Sequence, residues 1–260
     1  MTALVDTHCH LDPQYYPDGH EAALARAKEA GVEAFVAVGV GETLDAAKHV
    51  VAIASSRDDV WATVGLHPHD AKHGTAEMYD EMRALAARPR VVAIGEIGLD
   101  YHYMHSPLER QLEVFRLLID VAVEMRLPIV VHTREAAEPT LEILEQSRAR
   151  EVGGIIHCFS EDVPFARRAL DVGFDLSFSG IVTFKNARGV HEAAAFAPAD
   201  RILVETDSPY LAPIPFRGKP CEPAHVVYTA RRIAELRGVP FEEVARATTE
   251  NARRRLSLSA

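Results

Sequence analysis

What most restricts the fold of this chain is an alternation. Eight short apolar runs of β character are each followed by a longer stretch whose apolar residues recur at three- and four-residue spacing. The runs are 4–8, 34–40, 60–65, 91–96, 129–132, 154–157, 174–178 and 202–205. Helical patterns at 20–30, 43–54, 76–86, 108–126, 136–146, 163–172 and 189–196 lie between them, and two more, at 223–237 and 241–252, close the chain. Gly31, Gly173 and Gly238 stand where helix C-caps are expected, and Pro128 ends the long helix before the fifth run. Continuous apolar segments such as Ile129-Val130-Val131 suit parallel strands buried on both faces. Eight β/α units in 260 residues predict a (β/α)8 TIM barrel with two additional C-terminal helices, forming one domain over residues 1–260. The rival is a doubly wound open sheet. Its Gly-rich phosphate turn is missing, because the first run leads into His8-Cys9-His10-Leu11-Asp12.

Composition limits the function classes. A net charge of −10, from 28 basic and 38 acidic residues, argues against a large basic face for polyanions. Carboxylates that hold cations would be counted in that figure without being free negative charge. No apolar run reaches the length of a membrane span, and Asp6 and His8 fall where a signal peptide would be apolar, so a cytoplasmic protein is expected. Three widely spaced cysteines, Cys9, Cys158 and Cys221, fit a reducing compartment better than a disulfide framework.

In a barrel of this kind the chemistry sits at the C-terminal ends of the strands. The first strand delivers His8 and His10, whose i, i+2 spacing puts both imidazoles on one face. The third leads to His67, the fourth to Glu96, the fifth to His132, the sixth to His157 and the eighth to Glu205 and Asp207. A single buried histidine usually does no more than bond a carbonyl. Several imidazoles and carboxylates gathered in one pocket are costly to desolvate unless a divalent cation compensates their charge. Cys9 and Cys158 lie beside ligand histidines, but strand alternation turns them away as packing residues.

Six segments fall in order along the chain: Asp6-Thr7-His8-Cys9-His10-Leu11-Asp12, Gly65-Leu66-His67-Pro68-His69, Ile94-Gly95-Glu96-Ile97-Gly98-Leu99-Asp100-Tyr101, Val131-His132-Thr133-Arg134, Ile156-His157-Cys158-Phe159-Ser160 and Glu205-Thr206-Asp207-Ser208-Pro209-Tyr210-Leu211. They resemble the successive motifs of the TatD family of metal-dependent hydrolases, and the likeness continues to Glu250-Asn251-Ala252. That family belongs to the amidohydrolase-like TIM barrels, and several members are described as metal-dependent deoxyribonucleases. The resemblance implies that His8, His10 and Asp207 hold one metal, that His132 and His157 hold a second, and that Glu96 bridges them. One departure is Cys221, where the family often has Asn; an exposed loop thiol without a role is one reading of it.

These residues support hydrolysis by a water activated between two divalent cations, with Mg, Mn or Zn as the expected ions. Glu96 and Asp207 are the catalytic candidates, Asp207 as the group that orients the water and accepts its proton. His67 and Arg134 are candidates for holding a phosphate, and Arg217 and Lys219 are either further substrate contacts or a solvated loop pair. Glu205 is expected to orient a ligand histidine or to pack below the pocket. The expected function is a phosphodiesterase or deoxyribonuclease acting on single-stranded DNA or a 3′ end, as a monomer without membrane contact. The alternatives are an ester or amide hydrolase of the same fold, such as an aminoacyl-tRNA deacylase, and a non-catalytic metal-binding protein.

Overall fold

All eight expected strands form in the computed structural model, which describes residues 3–16 and 19–259. They are β1 (Leu4–Cys9), β2 (Val32–Gly39), β3 (Val60–Val64), β4 (Val91–Asp100), β5 (Ile129–Arg134), β6 (Gly154–Ile156), β7 (Phe174–Phe178) and β8 (Ile202–Val204). Helices α1 (His20–Glu29), α2 (Asp45–Ser56), α3 (Ala76–Ala86), α4 (Leu108–Met125), α5 (Ala137–Gln146), α6 (Val163–Asp171) and α7 (Arg188–Phe196) alternate with them. The chain closes with α8 (Val226–Arg237) and α9 (Phe241–Arg255). The strands follow one another in chain order within one sheet, giving the (β/α)8 barrel that the alternation predicts. Every residue of β1, β3, β4 and β7 is buried, as befits parallel strands covered on both faces. Gly238 takes the left-handed conformation that ends α8, and Gly31 and Gly173 are also at positive φ behind α1 and α6. No helix among the described residues is long and apolar enough to cross a membrane.

The chain divides into two compact units. One holds the described residues up to Ala37 with Cys158–Arg167 and Asp175–Ser259; the other holds Val38–His157 and Arg168–Phe174.

In the first unit β1 pairs with β2 from Leu4↔Val32 to Cys9↔Ala37, and β7 pairs with β8 from Leu176↔Ile202 to Phe178↔Val204. Helix α9 is tied down by polar bonds as well as by its apolar face. Asn251 Nδ2 donates to the carbonyls of Ala199 (2.8 Å) and Ile202 (2.9 Å), and Thr249 Oγ1 donates to that of Ala3 (2.8 Å). Asp175, fully buried, accepts two bonds from Arg255 at 2.7 and 2.9 Å and another from Arg201. Pairing of this kind is what makes a buried carboxylate tolerable. Cys221 departs from the exposed-thiol reading: its N–H donates to the Pro209 carbonyl (2.9 Å), which draws the residue into the core, and burial pushes its thiol pKa up.

In the second unit two strands run past their expected ends, β5 by two residues and β4 by four. Residues 91–96 were the expected extent of β4, yet it continues to Asp100. Between Ile94↔Ile129 and Ile97↔Val131 the register slips, three steps on β4 facing two on β5, an irregularity of the ladder that spans Gly95 and Glu96. Gly98 sits at φ 145, and a Cβ there would lie 2.0 Å from the His132 carbonyl oxygen. Only glycine allows β5 to approach that closely, so a residue that reads as a strand breaker is what lets the strand go on.

Candidate functional site

In the first unit, His8 lies near the end of β1, His10 just beyond it, and Asp207 three residues past β8. Backbone bonds continue past the strand ends: Asp207 N–H donates to the His8 carbonyl and His10 N–H to the Ser208 carbonyl, both at 2.9 Å. This clamp brings Asp207 Oδ1 to 3.7 Å from His8 Nε2 and 3.5 Å from His10 Nε2. Donors bound at about 2.1 Å to a tetrahedral ion are spaced at about 3.4 Å. The two imidazoles and the carboxylate therefore fit a divalent cation in donor type and in spacing. Asp207 sits at φ 56, a left-handed conformation that costs a non-glycine residue about 1–3 kcal/mol and is held by these bonds.

Behind that set stands Asp6, to which the sequence reading gave no role. Its Oδ1 accepts the Thr206 N–H (2.9 Å) and its Oδ2 the Thr206 hydroxyl (2.6 Å), fixing the residue next to Asp207. Burial pushes the Asp6 carboxyl up to about 8, against the lowering effect of these bonds. Glu205 Oε1 accepts the Cys158 N–H at 2.7 Å, so it braces the turn after β6. Cys158 lies beyond the end of that strand at φ 47, where strand alternation no longer sets its direction, and its Sγ is 3.2 Å from Ser179 Oγ.

In the second unit, Glu96 is buried with three imidazoles around one oxygen. Its Oε1 lies 2.8 Å from His132 Nδ1, 3.1 Å from His157 Nε2 and 3.3 Å from His67 Nε2. Burial acts to raise the Glu96 pKa, but the neighbouring His157 and His67 and the bonds from His132 and His157 outweigh it and hold the group well below the usual carboxylate range. His67 goes the other way, pushed down to about 4 chiefly by burial. Its Nδ1 accepts the His69 N–H at 3.1 Å, which leaves the ring proton on Nε2, facing Glu96. His67 is thus disposed as a hydrogen-bond donor. Glu96, His132 and His157 offer the mixed oxygen and nitrogen donors that a divalent cation takes.

Two further residues of this unit, Asp100 and His69, had no role in the sequence reading. Asp100 Oδ2 lies 2.9 Å from His69 Nε2 and 3.2 Å from His132 Nε2, while its Oδ1 accepts the N–H groups of His102 (3.0 Å) and Tyr103 (2.8 Å). Burial opposes ionisation of Asp100, yet the bonds from His132, Tyr103 and His69 hold its pKa below the ordinary value. His132, for which burial alone would lower the pKa, is raised by its bonds to Asp100 and Glu96.

The remaining candidates are dispersed. Arg134 ends β5, exposed, its guanidinium 4.6 Å above the Tyr103 ring. Arg217 packs 3.8 Å over Phe184, and Lys219 lies exposed in the same loop. Among the described residues neither of these two bonds to His8, His10 or Asp207.

Comparison with known proteins agrees with this donor chemistry. The family described as TatD related DNase matches residues 5–257. An uncharacterized metal-dependent hydrolase of Bacillus subtilis, YabD, is 46% identical over 252 residues, covering 96% of this chain and 98% of the relative. Its counterpart YcfH of Escherichia coli is 44% identical over 262 residues, covering 99% and 97%. The crystal structure of YjjV, a TatD homolog from Escherichia coli, superposes with a TM-score of 0.90 at 27% identity, over 98% of each chain.

Proposed function

The chain belongs to the TatD related DNase family and is a metal-dependent hydrolase, and from that premise we propose that it hydrolyses phosphodiesters, as a deoxyribonuclease on single strands or 3′ ends. It would do so as one hydrolase domain over residues 1–260 with two divalent ions, Mg, Mn or Zn. The observation that carries the reading is the pair of donor sets, each a carboxylate among imidazoles: Asp207 with His8 and His10, and Glu96 with His132 and His157. Bound divalent cations supply Lewis acidity toward a phosphoryl oxygen and a water acidic enough to ionise near neutral pH.

The chain's own residues divide the remaining work. Asp207 orients the attacking water and takes its proton, with Asp6 and Thr206 fixing the backbone beside it. His67, neutral and with its Nε2 proton beside Glu96, is placed to share that proton between Glu96 and a substrate oxygen. Arg134 presents guanidinium N–H groups to a phosphate, and Arg217 and Lys219 are proposed as separate cationic contacts for the substrate.

The test is removal of metal with chelator, then re-addition of Mg, Mn or Zn singly. Hydrolysis is scored on 3′-labelled single-stranded DNA, RNA, bis(p-nitrophenyl) phosphate, and amide and aminoacyl-ester substrates. Activity on the phosphodiesters that vanishes with chelator and returns with one cation is the expected result. Cleavage confined to the ester or amide substrates would replace this reading with the deacylase or amidase one, and activity that survives complete metal removal would refute the metal mechanism.

A further inference from the structure

Beside Asp100 the loop after β4 exposes an aromatic group that the hydrolytic chemistry does not use. Tyr103 is 49% exposed and Met104 45%, which for large apolar side chains on one short loop is a cost unless something covers them. Tyr103 lies parallel to His105, with ring centroids 5.5 Å apart and planes 4° from each other, and edge-on to His69 at 5.4 Å. The Arg134 guanidinium sits over the Tyr103 ring at 4.6 Å. His69 in turn lies 6.4 Å from His132, ring to ring, so the group begins one side chain away from a proposed metal ligand.

The loop is held in this pose by its backbone. Asp100 Oδ1 accepts the N–H groups of His102 and Tyr103, while its other oxygen meets His69 and His132. At the far end Ser106 Oγ donates to the His69 carbonyl (2.6 Å) and Lys72 Nζ to the His105 carbonyl (3.1 Å). Met104, between these tethers, takes φ 52, a left-handed conformation that is costly for a non-glycine residue. A solvated loop has no need of strained backbone tied to a buried carboxylate in order to show tyrosine and methionine to water.

We propose that Tyr103, His105 and Arg134 form a stacking shelf for an unpaired nucleobase next to the scissile phosphate. This rests on the phosphodiesterase reading above. Aromatic faces accept any base, and a guanidinium placed over a ring still has N–H groups for the adjoining phosphate. The shelf explains how a chain of net charge −10 could hold a polyanion: base stacking takes up part of the binding that a basic face supplies elsewhere.

The experiment compares wild type, Tyr103→Ala and Tyr103→Phe on single-stranded oligonucleotides that carry either natural or abasic nucleotides at the three terminal positions. KM and kcat are read for cleavage, and fluorescence anisotropy for binding of a phosphorothioate version to the metal-free protein. Loss of the bases should raise KM and Kd about 10-fold in wild type and less than about 2-fold in Tyr103→Ala, with kcat far less affected. Tyr103→Phe should keep the wild-type discrimination, and so should Phe196→Ala, an exposed aromatic change on α7. Equal dependence on the bases in wild type and Tyr103→Ala would overturn the shelf. Should no phosphodiester be cleaved at all, the hydrolytic reading fails by itself, and the binding arm still decides whether Tyr103 holds a base.

Discussion

The two donor sets use similar residues and differ in what sets their spacing. Around Asp207 the imidazoles stand at 3.5 and 3.7 Å from the carboxylate, held there by backbone bonds on either side of the strand ends. Around Glu96 they stand at 2.8 to 3.3 Å, and a second carboxylate, Asp100, engages the other nitrogen of His132. The first set has the edge lengths of a coordination shell, and the second is a hydrogen-bonded ion-pair network. Loading an ion on the second set therefore means exchanging bonds already made, and ligand order there is kept by side chains where the first set relies on main chain.

The largest effect should come from deleting the carboxylates themselves. Glu96→Ala removes the carboxylate that three imidazoles surround and leaves only Asp100, on the far nitrogen of His132, to balance them, and kcat/KM should fall by more than about 100-fold. Asp207→Ala should be as damaging. Bound metal per chain, measured by plasma mass spectrometry, sharpens the contrast: a single ion lost in Asp207→Ala against one or both in Glu96→Ala reads whether Glu96 serves one ion or two. Activity within tenfold of wild type in either variant would break the assignment of that set.

A smaller and more selective effect is expected one bond further out. Asp100→Asn keeps the shape of the side chain and an acceptor for the Tyr103 N–H, but removes the charge that His132 and His69 face. Metal affinity of the Glu96 set should weaken by about 10- to 100-fold, while affinity of the Asp207 set is preserved. Calorimetric titration of the metal-free protein separates the two as distinct steps. If both steps weaken equally, the difference drawn between side-chain and main-chain support is wrong.

How much of this was legible depended on whether a position was set by local pattern or by tertiary approach. Strands such as Phe174–Phe178 and helices such as Ala76–Ala86 were readable because burial on both faces, or on one stripe, writes a period into the sequence. His8, His10, His132 and His157 stood out because they end such runs. Asp100 did not, because the expected strand stopped at Glu96, whereas in the fold Gly98 lets β5 approach closely and β4 runs on to Asp100. An isolated glycine inside an apolar strand pattern was the available signal. Asp6 gave less warning: an acidic residue inside an apolar run announces a partner but not which one, and Thr206 lies 200 residues away. Burial of Cys221 goes with contacts to the carbonyls of Pro209 and Thr206, more than ten residues back along the chain, which no local pattern encodes.

The smallest effect expected is a pH dependence confined to the Glu96 set. His132 carries a pKa above the ordinary imidazole value because Asp100 and Glu96 together outweigh the cost of burial. An imidazolium has no lone pair for an ion, so binding must displace its proton, and affinity falls as pH drops through that raised pKa, by at most about tenfold per unit for one proton. The stability of the metal-free protein should move oppositely. A histidine whose pKa is raised by folding stabilises fully below its unfolded value, near 6.5, and that contribution is lost as pH rises through the folded value. The low pKa values of Glu96 and Asp100 keep both carboxylates ionised across this window, so they do not reverse the trend. In a His8→Ala/His10→Ala protein, which isolates the Glu96 set, zinc titrations in two buffers of different ionisation enthalpy should report proton release at pH 6.5 that declines as pH rises through the raised His132 pKa. Adding Asp100→Asn should reduce it, since one of the two bonds that raise the pKa is then gone. Ion uptake with no proton released at pH 6.5 would mean that the Glu96 set is as open to metal as the Asp207 set, and the contrast between them would fall.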